Sequence, residues 1–138
     1  MLLHASDFSD VALASMQDTH LEEIAMINAI LDMLESVDKG GVHQAMLTAP
    51  LNELLEHTRE HFADEERLMQ AHHFPAYGMH KGAHELFLAD LEQVVADWKS
   101  GQRLAPLVRF MHQELPAWMK QHIGTMDAAT ARFIAMQP

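Results

Sequence analysis

Four stretches of this chain carry apolar residues at gaps of three and four, and the first three are each closed by a turn signal. Such spacing lays a stripe along one face of an α-helix. Leu13, Met16, His20, Ile24, Ile27, Leu31 and Leu34 form the first stripe, stopped by "DKGG" from Asp38 to Gly41. Leu47, Leu51, Leu54, Thr58, His61, Glu65, Leu68 and His72 form the second, which ends before Pro75. Tyr77, His80, His84, Phe87, Leu91, Val94 and Trp98 form the third, closed by "KSGQ". The fourth runs through Leu104, Val108, Met111, Leu115, Trp118 and His122 toward Phe133. No stretch alternates apolar with polar residues as a half-buried strand does. Short connections make consecutive helices antiparallel neighbours, so the expected fold is all-α, an up-down-up-down four-helix bundle.

Two prolines test that expectation. The second helix begins either near Val42, with Pro50 disturbing it, or near Thr48, with Pro50 in its first turn, where the missing N–H costs little. Pro116 lies inside the fourth stripe and is expected to kink that helix or remove one hydrogen bond.

At 138 residues the chain suits one domain with its own core, residues 1–138, of which 1–12 read as an N-terminal arm. Its 20 acidic against 9 basic residues leave a formal net charge of −11, which disfavours nucleic acid and anionic lipid as partners. The start "MLLHASDFSD" has no basic flank and no long apolar run, so the expected location is the cytoplasm. With no cysteine, disulfides, thiolate nucleophiles and thiolate metal sites are excluded, and any metal must be held by imidazole and oxygen.

Each stripe carries histidine or glutamate where leucine is expected: His20, His61 with Glu65, His80 with His84, and His122. An unpartnered buried polar group costs roughly 1–3 kcal/mol, and an unpaired carboxylate more, so these side chains need something to bind. Residues four apart on a helix sit one turn above each other, so His61/Glu65 and His80/His84 each aim two donors at one point. A single pair at that spacing arises easily in a chain with 11 histidines, as His57 and His61 illustrate. The information lies in the combination across four helices. Five imidazoles and a carboxylate exceed one tetrahedral zinc site, so two metals fit better, drawn from zinc, iron, copper or nickel. Two cations held about 3.5–4 Å apart call for a carboxylate between them, and Glu65 is placed to bridge.

These residues, in this order, resemble the hemerythrin family, specifically its single-domain bacterial members. The likeness rests on "MQDTHLEEI", "HTREHFADEERLM", "FPAYGMHKGAH" and "WMKQHIGTMDAA", and spans about residues 13 to 131. The resemblance implies a di-iron centre with an oxo or hydroxo bridge, and it adds Asp127 as a second bridging carboxylate. Asp127 stands five positions after His122, which on a regular α-helix turns it off the stripe. The resemblance further implies one iron held by His80, His84 and His122, the other by His20 and His61, and dioxygen bound reversibly at an open position on the second. No catalytic residue is implied. Ile24, Phe62, Trp118 and Ile123 are candidates for excluding water, or plain core residues.

One departure from the common family pattern is Gln17, where an acidic residue often stands three positions before the first ligand. It leaves open which group orients His20. His57 reads as partly exposed or supporting; His4, His43, His72, His73 and His112 read as surface or boundary residues, and most acids of "HLEEI" and "ADEER" as solvated helix face. The alternatives on this fold are a di-iron oxidase or iron-handling protein and nitric oxide sensing or iron-site repair. Ferritin-like oxidases typically use Glu-x-x-His pairs and four carboxylates, which the proposed ligand set lacks. A hydrolase helix of the His-Glu-x-x-His type is absent too. A downstream protein partner is not specified by the residues.

Overall fold

A computed structural model describes residues 2–40 and 43–137. Gly41, which ends the first stop signal, and Val42, one of the two candidate helix starts, lie outside the described residues.

The helices are α1 (Ala14–Asp38), α2 (Thr48–Ala71), α3 (Tyr77–Gly101) and a fourth column made of α4 (Leu104–Arg109), α5 (Leu115–His122) and α6 (Ala128–Ala135). Two π turns, Phe110–Glu114 and Ile123–Asp127, join the parts of that column. α1 packs on α2, α2 on α3, and the fourth column closes against α1, α2 and α3. This is the expected all-α four-helix bundle. No helix among the described residues is long and apolar enough to cross a membrane.

The helix ends follow local chemistry. After α1, Gly40 takes a φ of 75°, a left-handed conformation that costs glycine little. α2 starts at Thr48 behind a 3-10 turn, Gln44–Leu47, so Pro50 falls within the first turn, as the second of the two expected starts requires. α3 ends with Gln102 left-handed and its N–H bonded to the carbonyl of Trp98 at 2.8 Å. The Gln44 amide reaches the Gln102 carbonyl at 2.8 Å, tying two loops at one end of the bundle.

Pro116 is accommodated differently from a plain kink. In a regular α-helix its missing N–H strands one carbonyl and its ring crowds the preceding turn. The π turn immediately before it, closed by the Leu115 N–H on the Phe110 carbonyl, widens the helix at that point.

The apolar stripes meet in one cluster in which Ile27, Ile30, Leu47, Leu51 and Met111 are fully buried. Each such aliphatic side chain contributes roughly 1.5–3 kcal/mol by leaving water. The segment before α1 packs Leu3, Phe8 and Val11 against this cluster. The Asn28 amide holds it by accepting from the Leu3 N–H at 2.7 Å and donating to the Leu3 carbonyl at 2.8 Å. Gln17 likewise accepts from the Val11 N–H at 3.0 Å and donates to Asp10 at 3.1 Å. The residue that departs from the common family pattern therefore anchors the arm.

Candidate metal centre

Periodicity turns His20 of α1, His61 and Glu65 of α2, His80 and His84 of α3, and His122 of α5 inward, and all six are buried. Asp127 joins them through the second π turn. There the Ala128 N–H bonds to the Ile123 carbonyl, so five residues are spent on one turn. Asp127 returns to the face of His122 and is buried. Two donor sets result: Glu65, His80, His84, His122 and Asp127 lie mutually within 4.8 Å, as do His20, His61 and Glu65.

Each carboxylate divides its oxygens between the sets. Glu65 Oε1 lies 3.2 Å from His84 Nε2 and 3.5 Å from His80 Nε2, while Oε2 lies 2.5 Å from His61 Nε2 and 3.7 Å from His20 Nε2. Asp127 Oδ1 lies 2.9 Å from His80 Nε2 and 3.1 Å from His122 Nε2, while Oδ2 lies 3.0 Å from His20 Nε2. One side thus has three imidazoles, the other two.

His61 Nε2 pairs with Glu65 Oε2, but four of the donor atoms find no hydrogen-bond partner among the described residues. His20 Nε2, His84 Nε2, Glu65 Oε1 and Asp127 Oδ1 are buried with no hydrogen-bond partner, although neighbours stand close by. His80 Nε2 and His122 Nε2 face each other at 3.1 Å. Buried polar atoms are normally paired. Lone pairs gathered around common points, four of them left unpaired, fit cations placed between them, and a mixed imidazole and carboxylate set suits transition metals.

The outward ring nitrogens show what holds the histidines in place. His61 Nδ1 is 2.7 Å from Glu23 Oε2, His80 Nδ1 is 2.7 Å from Thr130 Oγ1, and His84 Nδ1 is 3.1 Å from Glu66 Oε2. Such contacts fix the tautomer, leaving Nε2 free to donate its lone pair inward. Glu23 corrects the expectation of a solvated "HLEEI" face, because it is buried, and Glu66 of "ADEER" is half-buried. The spacing held a signal for Glu23, which stands three residues after His20 and therefore shares its face. His20 Nδ1 has no partner, so no described residue takes up the orienting role left open by Gln17.

Aromatic rings cover the set. Phe62 stacks on His84 with centroids 3.9 Å apart, and Trp118 stacks on His122 at 4.3 Å and on Phe87 at 4.0 Å. Ile24 and Ile123 are buried in the adjoining core. His57 stands aside, its Nε2 3.4 Å from Glu22, and belongs to neither donor set. His4, His43, His73 and His112 are exposed and His72 is half-buried. A cleft of about 490 Å³ between the start of α1 and the end of α2, lined by Ser15, Met16, Thr19 and Leu68, reaches His61 and Glu65.

Burial alone would lower the pKa of His20 and of His80, but contacts with Asp127 and Glu65 outweigh it and raise each to about 9. Burial opposes charge on His61 as well, yet Glu23 and Glu65 hold its pKa well above the ordinary value. Burial alone would raise Glu65 and Asp127; contacts with the surrounding histidines hold both below the usual carboxylate range. In the metal-stripped protein the contribution of His20 and His80 to stability is therefore present below their unfolded pKa and is lost as pH rises through about 9. A ligand imidazole must lose its proton to bind a cation. Loading the stripped protein with zinc or cobalt at pH 7 is expected to release protons, measurable with an indicator dye in weak buffer. Apparent affinity is expected to climb with pH through about 9, as His20 and His80 give up their protons.

The comparisons agree with the geometry. The family described as Hemerythrin HHE cation binding domain matches residues 11–133. The chain is 33% identical over 132 residues to Bacteriohemerythrin of Aquifex aeolicus, covering 96% of this chain and 97% of that one. It is 28% identical to Bacteriohemerythrin of Ralstonia nicotianae over 90% of this chain and 82% of that one. It is 40% identical to Myohemerythrin of Sipunculus nudus over 57% of this chain and 58% of that one. No solved structure gives a significant match. With a match that runs through all four helices and every residue of the two donor sets, the chain belongs to the hemerythrin HHE cation-binding family.

Proposed function

We propose that this protein binds dioxygen reversibly at a non-haem di-iron centre held by His20, His61, Glu65, His80, His84, His122 and Asp127, for storage, delivery or sensing in the cytoplasm. The observation that carries this reading is the division of both carboxylates, one oxygen of each toward the three-histidine side and the other toward the two-histidine side. Two carboxylates that bridged a metal pair would need that division. When bound, the iron pair supplies the electrons and the coordination position that capture of dioxygen needs.

The chain's own residues do the rest. His80, His84 and His122 complete one side, and the smaller donor set of His20 and His61 leaves room on the other, where the α1/α2 cleft reaches His61 and Glu65. Phe62 and Trp118, stacked on His84 and His122, exclude water from the opposite flank. Glu65 and Asp127 balance part of the cationic charge in a place where an unpaired ion would be costly. No side chain is assigned a proton-transfer role, in keeping with the proposal of a binder rather than an enzyme. Ligation by five histidines and two carboxylates is poor in anionic charge for an oxidase that must support high-valent iron.

The test is optical. Protein loaded anaerobically with ferrous iron is expected to gain visible charge-transfer absorption in air and to lose it again under vacuum over repeated cycles. Irreversible oxidation with continued consumption of a reductant would reject the carrier in favour of an oxidase.

A further inference from the structure

The two histidines on the two-histidine side are not equivalent. His61 has a carboxylate behind it, whereas the outward nitrogen of His20 has no partner among the described residues. The carboxylate belongs to Glu23, which is only 5% exposed although it is not among the seven residues that face the centre. Glu23 comes from α1 and reaches across the helix interface to His61 on α2. Its second oxygen, Oε1, lies 3.2 Å from the hydroxyl of Thr58, which stands one turn before His61 on α2 and is fully buried. The single Thr58 hydroxyl proton is shared between Glu23 Oε1 and the Leu54 carbonyl, 2.8 Å away on its own helix, which also sets where the hydroxyl stands.

A buried carboxylate is expensive unless paired. Here its close partners are one ring nitrogen and one hydroxyl. A neutral imidazole would compensate it poorly, but one whose other nitrogen binds a cation donates a far stronger hydrogen bond from Nδ1. Resting on the di-iron reading above, we propose that Glu23, steadied by Thr58, is a positioning residue that pins the Nδ1 proton of His61 and biases the two-histidine side toward its oxidised form. The physical route is direct. A carboxylate on Nδ1 makes the ring a stronger donor at Nε2, and a fixed negative charge inside a low-dielectric bundle favours added positive charge at the metal. Glu23 does this without ligating, through its contact with His61 and through its charge, and among the described residues His20 has no matching device.

The experiment compares iron-loaded wild type with Glu23→Gln, which keeps shape and an acceptor oxygen but removes the charge, and with Glu23→Leu. Spectroelectrochemical titration reads the potential, chelator competition reads the hold on each ion, and proton NMR of zinc-loaded protein reads the His61 Nδ1 proton. Glu23→Gln is expected to retain two ions per chain while shifting the oxidised-to-reduced ratio at fixed potential about tenfold toward the reduced form. The low-field, exchange-protected Nδ1 resonance of wild type should move upfield in the same variant. Glu23→Leu should release one of its two ions about 10–100-fold more readily, the usual range for losing an outer hydrogen-bond partner of a ligand. A potential unmoved in Glu23→Gln, with both ions retained, overturns the inference and leaves the di-iron reading standing. Wild type that holds fewer than two ions overturns both. If Glu23→Leu does not fold, the Gln variant and the zinc NMR still decide.

Discussion

Replacing Glu65 by alanine is expected to lower the iron content of the reconstituted protein from two ions per chain to one or none. Glu65 is the one residue common to both donor sets, with Oε1 among His80 and His84 and Oε2 against His61. On the proposed reading its loss would remove a ligand from each ion and also the negative charge that would let the cations approach each other. Losing even an outer hydrogen-bond partner costs about 10–100-fold in metal affinity, so losing a shared ligand should cost more than about 100-fold. Glu66→Gln gives the internal contrast. That neighbour touches His84 only from outside, at 3.1 Å, and its variant should keep both ions with a weaker hold on one. Metal analysis after gel filtration, with circular dichroism to establish folding, reads both results. Retention of two tightly held ions by a folded Glu65→Ala protein rejects the bridging role.

The contrast between neighbours marks how far the sequence could be read. Helix existence and most helix stops were legible because both are local, whereas the start of α2 stayed open between Val42 and Thr48. Stripes at gaps of three and four specified α1, α2, α3 and the fourth column, while Gly40, Pro75 and the Gly101-Gln102 turn marked the stops. Six inward donors followed from the same periodicity, since His20, His61, Glu65, His80, His84 and His122 replace apolar residues on stripes. Glu23 carried a weak signal only: three residues after His20 it shares that face, but beside Glu22 and Leu21 it also reads as solvated, and the approach of α2 is what buries it against Thr58 and His61. Thr130 was hidden, because its partner His80 lies 50 residues away on another helix. Residue types alone left zinc, iron, copper and nickel open; what narrows the choice is membership of the family, not geometry. The π turn at Phe110–Glu114 shows the limit of a rule about proline, since Pro116 fixes that something must give but not what.

Asp127 is the sharpest case, and it yields the second large effect. Five residues on a regular α-helix turn a side chain about 140° away from where it started. Asp127 nonetheless faces His122, with Oδ1 3.1 Å from its Nε2, because the π turn spends one extra residue on the way. Asp127→Ala removes one oxygen from each side of the centre and is expected to weaken metal binding at least about 100-fold, leaving folded protein with fewer than two ions. Deleting Thr125 should do the reverse of what a deletion inside a helix usually does. Thr125 is exposed, its hydroxyl bonds only its own helix at the Gln121 carbonyl, and its loss leaves Asp127 four residues after His122. A four-residue step closes one ordinary α turn. The π turn then relaxes to α, Asp127 stays on the His122 face, and Thr130 and Ile134 of α6 move with it and keep their partners. The deletion variant should hold two ions and lose the i to i+5 hydrogen bond, readable by metal analysis and by the amide pattern in NMR. If it loses metal as completely as Asp127→Ala, then the shape of the π turn, and not the register it restores, is what the centre requires.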